Sequence, residues 1–133
     1  MRSVFADTFH FLALLKVDDS RHRRALELHR VRWQRIVTTD CVLLEVGDAC
    51  CHPRHHGDFL ALYGTLAQDV RVEIVRLTPE LFKLGVELFR SRVDKNWPLT
   101  DCISFVVMQD HNLSEALTAD RHFEQAGFKA LLS

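Results

Sequence analysis

Short apolar segments alternate along the chain with longer segments whose apolar residues recur at helical spacing. The short segments are typical of buried strands, and we predict strands at 3–7, 36–39, 70–77, 115–120 and 128–132. The longer segments predict helices at 8–16, 20–35, 41–51, 54–68, 78–92, 99–111 and 121–127. Repeated strand–helix–strand units favour a parallel sheet covered by helices. The pattern therefore predicts an α/β fold, a three-layer α/β/α sandwich with a five-stranded parallel sheet.

Polar residues at the starts of three predicted helices indicate where those helices begin. Thr78 is an expected N-cap, because Pro79 follows at the first helical position and Glu80 in the first turn. Ser20 and Asp40 are expected to cap the helices that follow them. The Ser20 helix is amphipathic, and its predicted inward-facing residues are Leu26, Leu28 and Trp33.

The overall composition fits one ordinary globular domain. The chain has 133 residues, of which 47% are hydrophobic and 26% charged, and its formal net charge is −1. Binding to a polyanion must therefore depend on local clusters of Arg and Lys. No apolar run has the roughly 18–20 residues needed to cross a membrane. Asp7 and His10 interrupt the apolar N-terminal segment, so we interpret it as a strand and helix of a cytoplasmic protein rather than a signal peptide.

The four cysteines form no recognisable disulfide or metal pattern. We predict free, mostly buried thiols, because their spacing is irregular and contains no CxxC pair. A zinc module is an alternative for the segment that holds Cys50, Cys51, His52, His55 and His56. Adjacent cysteines are poor tetrahedral chelators, so this alternative is disfavoured, and the histidines are expected to form a surface loop.

Four carboxylates are predicted to converge at one edge of the sheet. Asp7 and Asp120 each follow a strand directly, which places both at the carboxyl edge. Asp101 begins a helix that leads into a strand, and such a helix starts at the same edge. Glu45 lies about a turn and a half into its helix, within reach of that edge for a long side chain. Ligands of open α/β sheets bind beyond this edge, where the strand order reverses.

Each of these acids has a structural alternative when it is considered alone. Asp7 can simply end a strand, Asp101 and Asp120 can stabilise helix starts, and Glu45 can be a solvated helix residue. The four acids together favour a metal site more strongly than any one of them does, because like charges in a partly desolvated crevice repel one another unless a cation is bound. Oxygen ligands of this kind suit Mg²⁺ or Mn²⁺. The neighbours of Glu45 predict that its face of the helix is largely buried.

Four sequence blocks resemble, in order and spacing, the conserved blocks of PIN domains. They are VFADTFHFLALL, IVTTDCVLLEV, WPLTDCISFVVM and ALTADRHFEQAGF, which together extend over nearly the whole chain. The resemblance implies that residues 1–133 form a single PIN-like nuclease domain with a five-stranded parallel sheet. It also implies a metal-dependent ribonuclease site and, often, the role of a VapC-type toxin in a toxin–antitoxin pair.

The resemblance assigns the family's acidic positions to the same four carboxylates. Asp7, Asp101 and Asp120 are expected to bind Mg²⁺ or Mn²⁺ directly or through water, and Glu45 to hold a second ion or to orient the attacking water. Thr118 matches the family's hydroxyl residue beside the last acid. We expect it to hydrogen-bond a carboxylate or the water. The five residues are the predicted catalytic set for hydrolysis of an RNA phosphodiester.

Clusters of basic residues are the candidates for contact with RNA. The segment 21–35 contains six arginines and one acid, and 51–57 adds an arginine among histidines. The predicted nucleic-acid-binding residues are Arg21, Arg24, Arg54 and His55. The arginine-rich helix can instead be a solvated face or bind an acidic antitoxin segment.

The sequence also favours a homodimer and leaves alternative functions open. The helix at 78–92 carries apolar residues around much of its circumference, which favours a homodimer. The main alternative function is a non-catalytic PIN-like protein that binds nucleic acid or serves in assembly. A receiver-type phosphoacceptor domain is disfavoured, because the third strand is followed by Thr78 and Pro79 rather than by an acceptor aspartate.

Overall fold

The structure is a computed structural model that describes residues 2–133. Within that range the chain forms one sheet whose five strands are all parallel, in the order β3-β2-β1-β4-β5. The strands are β1 Ser3–Ala6, β2 Arg35–Thr39, β3 Val72–Val75, β4 Glu115–Leu117 and β5 Lys129–Ala130. This topology confirms the predicted α/β sandwich with a five-stranded parallel sheet.

Helices connect the strands throughout the described part of the chain. They are α1 Thr8–Leu15, α2 His22–His29, α3 Asp40–Ala49, α4 His56–Gln68, α5 Pro79–Ser91, α6 Leu99–Asp110 and α7 Arg121–Gln125. A single 3₁₀ turn, Pro53–His55, precedes α4. None of the helices in residues 2–133 combines the length and the apolar character that a membrane crossing requires.

The first strand lies at the centre of the sheet. On one side it pairs with β2, where Val4 lies beside Ile36. On the other side it pairs with β4, where Phe5 lies beside Ala116. The chain builds β2 and β3 outward in one direction and then returns to place β4 and β5 on the other side. The strand order therefore reverses between β1 and β4, where open α/β sheets bind their ligands.

An aromatic cluster fixes α6 and α7 against the sheet. Phe105 of α6 meets Phe123 of α7 edge to face, with ring centroids 4.9 Å apart. Trp97 packs on Phe105 at 5.0 Å, and its indole Nε1 donates a hydrogen bond to Gln125. Such pairs add about 0.5–1.5 kcal/mol beyond their burial. The cluster holds the start of α6 close to α7, which determines how their polar residues meet.

The arginine-rich helix is shorter than predicted. Instead of residues 20–35 it includes only His22–His29, and Ser20 is not its N-cap. Trp33 is buried as predicted, but it lies outside the helix and its indole N–H donates to the carbonyl of Leu28. The residues after Trp33 join the sheet, because the backbone N–H of Gln34 donates a hydrogen bond to the carbonyl oxygen of Arg2. Pairing with β1 overrides the helical pattern here.

Of the predicted N-caps of α3 and α5, the first is wrong and the second is confirmed. Asp40 is the first residue of α3 rather than its cap, and the hydroxyl of Thr39 accepts the N–H of Val42 instead. The predicted cap Thr78 is confirmed, because its hydroxyl accepts the N–H of Leu81. Both caps are threonines in extended backbone at the end of a strand or loop, the usual N-cap geometry.

Other predicted boundaries extend too far. The strand at 70–77 is limited to β3, whose four residues are all half-buried because it lies at the sheet edge. The strands at 115–120 and 128–132 shorten to β4 and β5. The face of α3 near Glu45 is less buried than expected, since Leu44 is 67% exposed.

The cysteines are free, as predicted, although they are less uniformly buried. Cys50 and Cys102 are buried, Cys41 is half-buried and Cys51 is exposed. The histidine segment is exposed, and His52 and His56 use ring nitrogens in local hydrogen bonds to backbone groups. In residues 2–133, no metal-binding cluster includes this segment.

Helices α5 and α6 approach each other closely at Gly85. A Cβ at Gly85 would lie 2.5 Å from Cγ1 of the buried Ile103. We expect Gly85→Ala to lower the free energy of unfolding by about 1–3 kcal/mol, because the helices must separate or Ile103 must change its rotamer. Urea unfolding measures this change. The matched control is Gly64→Ala in exposed α4, where a Cβ meets nothing within 4 Å and the helix should gain about 0.5–1 kcal/mol. Equal effects of the two substitutions would contradict the packing argument.

Candidate active site

Asp7 lies at the centre of the crevice between β1 and β4. It follows β1 directly, its backbone N–H donates to Leu117 of β4, and its side chain is buried with 4% exposure. Although it occupies the N-cap position of α1, its carboxylate makes no capping hydrogen bond. The side chain is instead turned toward Thr118. Sheet pairing therefore fixes the position of the Asp7 carboxylate, which takes no part in capping the helix.

Thr118 connects Asp7 to Asp120. Its hydroxyl is fully buried and donates to Oδ2 of Asp7 at 2.9 Å. The Thr118 hydroxyl oxygen also accepts a hydrogen bond from the backbone N–H of Asp120 at 3.1 Å. A single hydroxyl thus orients one acid and the backbone that carries another. This contact is of the kind expected for the hydroxyl residue beside the last acid.

Asp101 and Asp120 meet through a residue that the sequence did not point to, His122. The Nδ1 atom of His122 lies 2.9 Å from Oδ2 of Asp101 and 3.2 Å from Oδ1 of Asp120. Ligand atoms of all three residues lie within 4.8 Å of one another. Since both carboxylates act as acceptors when ionised, Nδ1 is assigned as the protonated ring nitrogen. Asp120 also caps α7 by accepting the backbone N–H of His122 at 2.9 Å.

Glu45 completes the group from α3. Its Oε1 accepts the hydroxyl hydrogen of Thr8 at 2.6 Å, a contact that joins α3 to the start of α1. Glu45 is half-buried, and its charge raises the pKa of Asp101. The structure therefore brings together all five residues predicted for catalysis. Thr8 had no predicted role, although its position directly after Asp7 is a usable signal.

Each of the four carboxylates has one oxygen engaged by a neighbouring side chain. The engaged atoms are Oδ2 of Asp7, Oε1 of Glu45, Oδ2 of Asp101 and Oδ1 of Asp120. Among residues 2–133, no side chain donates a hydrogen bond to the other oxygen of any of these acids. Ligand atoms of Asp101 and Asp120 lie within 4.8 Å of each other, and Asp7 and Glu45 flank this pair with carboxylates that suit a hard divalent cation. The donor set therefore fits a divalent cation.

Burial and mutual repulsion raise the pKa of two of these acids. The pKa of Asp7 rises to about 7, mainly because burial disfavours its charge and secondarily because Asp101 is near. The hydrogen bond from Thr118 opposes this rise. The pKa of Asp101 rises to about 6, again mainly through burial, while the hydrogen bond from His122 opposes the rise. Acids with shifted pKa values in one crevice are typical of functional sites. A cation bound between them would favour the charged form of both carboxyl groups.

In residues 2–133, none of the four predicted RNA-binding residues forms a hydrogen bond or ion pair with the acids of this crevice. The Arg21 guanidinium donates to the carbonyl of Leu132 and lies over the ring of Phe9. Arg24 pairs with Glu27 on α2. Arg54 is exposed, and His55 pairs with Asp58 and borders the C-terminal end of α1. Their role in RNA binding stays a prediction.

Comparison with protein families identifies the chain. The family model described as PIN domain matches residues 4–129. The chain belongs to the PIN domain family. The match confirms the resemblance to PIN domains. It extends from β1 to β5 and therefore includes every segment that contributes to the crevice. A comparison with curated protein sequences finds no significant match.

Two solved structures share the fold of this chain. Mycobacterium tuberculosis VapC20, described as a sarcin-ricin loop cleaving toxin, superposes with a TM-score of 0.84 and 24% identity. The match covers 94% of this chain and 95% of VapC20. VapBC2 from Rickettsia felis, bound to a DNA fragment from its promoter, gives a TM-score of 0.69 and 13% identity, with 96% of both chains covered. At these identities the likeness establishes the PIN fold alone.

Proposed function

We propose that this PIN domain is a Mg²⁺- or Mn²⁺-dependent endoribonuclease and the toxin of a type II toxin–antitoxin pair. The observation that carries the proposal is the convergence of Asp7, Glu45, Asp101 and Asp120 at the point where the strand order reverses. Family membership and the fold shared with VapC toxins support the same function. The whole chain is proposed to act as one nuclease domain in the cytoplasm.

The acids are proposed to hold the metal by their unengaged oxygens. Asp7, Asp101 and Asp120 are the proposed ligands, and Glu45 holds a second ion or orients the attacking water. When bound, the metal lowers the pKa of a water molecule and neutralises charge on the phosphate. Thr118 keeps Oδ2 of Asp7 engaged, so that the carboxylate cannot rotate away from the crevice. Without metal, the negative crevice would repel an RNA phosphate, and we therefore expect metal and RNA binding to be coupled.

Metal dependence is the experiment that tests the proposed activity. We expect the purified protein to cleave RNA with Mg²⁺ or Mn²⁺ and to lose cleavage in EDTA, with recovery when excess metal is added. A sarcin–ricin loop oligonucleotide is the first substrate to try, and total RNA is the second. Fragments are measured on denaturing gels. Cleavage that is unaffected by EDTA would contradict the metal mechanism. A protein that binds RNA but cleaves neither substrate with any metal would favour the non-catalytic alternative.

A homodimer and an antitoxin are the proposed protein partners. Within α5, Phe82, Leu84 and Phe89 are each about half exposed, and such apolar surface favours a covering partner. A second copy of the chain is proposed to cover it, and light scattering in solution measures the resulting mass. An acidic antitoxin segment is proposed to bind the arginine-rich face of α2, where Arg23 and Arg24 are exposed.

A further inference from the structure

We infer that His122 is a positioning residue that fixes which oxygens of Asp101 and Asp120 face the metal. This inference rests on the proposed function, because it concerns the ion that the crevice would hold. It adds a residue of α7 to the four acids and one threonine already described. His122 is not an acid, and its role follows from where its ring nitrogen lies between two carboxylates.

The hydrogen-bond pattern around Nδ1 carries the inference. Asp120 uses Oδ1 twice, since this atom accepts the backbone N–H of His122 at 2.9 Å and lies 3.2 Å from Nδ1. Asp101 uses Oδ2 for the same Nδ1 at 2.9 Å. The Nδ1–H therefore donates to Oδ2 of Asp101 and lies within ion-pair distance of Oδ1 of Asp120, which leaves Oδ1 of Asp101 and Oδ2 of Asp120 for the ion. Without this donor, the two like-charged carboxylates would be free to rotate apart, because in residues 2–133 no other side chain donates a hydrogen bond to Asp101.

The surroundings of His122 make it suited to this role. Its side chain is 25% exposed, so it is largely held by its neighbours. The next residue, Phe123, is fully buried and packs edge to face on Phe105 of α6. The same aromatic contact that joins α7 to α6 therefore sets the distance between His122 and Asp101. The hydrogen bond needs no further ordering of the backbone when the ion binds.

Three substitutions separate the role of the Nδ1 hydrogen from that of the ring. In His122→Asn the amide nitrogen falls near the position of Nδ1, whereas in His122→Gln it falls near Nε2. His122→Ala has no donor at all. Mn²⁺ binding to the purified protein, measured by calorimetry or by electron paramagnetic resonance, provides a readout that does not depend on RNA cleavage. Urea unfolding and the exposed His52→Ala variant are the controls for folding and for general histidine loss.

We expect the Ala and Gln variants to bind Mn²⁺ about 10–100-fold more weakly than the wild type, and the Asn variant to bind within about threefold of it. We also expect RNA cleavage by the Ala variant to recover substantially at saturating Mn²⁺, because the ligands themselves remain. Rescue by Asn but not by Gln would not arise from a merely structural role. Unchanged Mn²⁺ binding in the Ala variant would overturn the inference, as would equal losses in Asn and Ala. Failure of the wild type to bind Mn²⁺ would instead overturn the proposed metal site itself, and this inference with it.

Discussion

Asp101→Asn is expected to reduce metal-dependent RNA cleavage on the order of 10²–10³-fold, which corresponds to about 3–4 kcal/mol of transition-state stabilisation. The reason lies in the engagement of one Asp101 oxygen by His122. Asparagine has a single side-chain oxygen, and His122 would occupy it. The amide NH₂ would then point toward the position proposed for the metal, where it cannot act as a ligand. Cleavage rates at fixed Mg²⁺, with protein in excess, measure the effect.

The matched control for this variant is Asp110→Asn at the other end of α6. Asp110 is 82% exposed and lies roughly 13 Å from Asp101 along the helix axis, so its loss should leave cleavage unchanged. Folding should not account for the result, because the substitution removes a desolvated charge beside other acids and should leave the urea midpoint equal or higher. Undiminished cleavage by Asp101→Asn would refute its proposed role.

Asp7→Asn is expected to stabilise the metal-free protein at pH 8 and to have little effect at pH 4. The pKa of Asp7 is raised from 3.8 to about 7 in the folded protein, so between these values the folded state keeps a proton that the unfolded chain has lost. The free energy of unfolding therefore falls as pH rises through this window and is level above it. The full shift corresponds to about 4 kcal/mol, and we expect on the order of 2 kcal/mol because protein groups relax around a buried charge.

Urea unfolding in EDTA, at pH values from 4 to 8, measures this difference between the variant and the wild type. The difference in the free energy of unfolding between the two proteins should widen as pH rises from 4 to 8. Adding Mn²⁺ at pH 8 should reverse the order, since only the wild type has the full set of ligands to gain stability from binding. A variant that is less stable than the wild type at pH 8 in EDTA would contradict the expected charge burial at Asp7.

Much of the fold follows from local sequence patterns. The apolar segments around β1 and β2 are short and β-branched or aromatic, and α6 is buried along most of its length, so both classes of element were predictable. Thr78 was predictable as a cap because the Pro and Glu after it act locally. The errors lie where long-range pairing competes with periodicity. Residues after His29 continue a helical pattern, yet hydrogen bonding to Arg2 draws them toward the sheet.

The sequence by itself determined which acids meet, because a parallel sheet brings the residues after β1 and β4 to one edge. Only the tertiary structure decided how they meet. His122 gave no signal, since its contact with Asp101 spans 21 positions and depends on the packing of Phe105 against Phe123. Which oxygen of each carboxylate is engaged also depends on side-chain orientation. Sequence order fixes the edge of the sheet at which a residue arrives, but distances of about 3 Å between side chains are set by packing across elements.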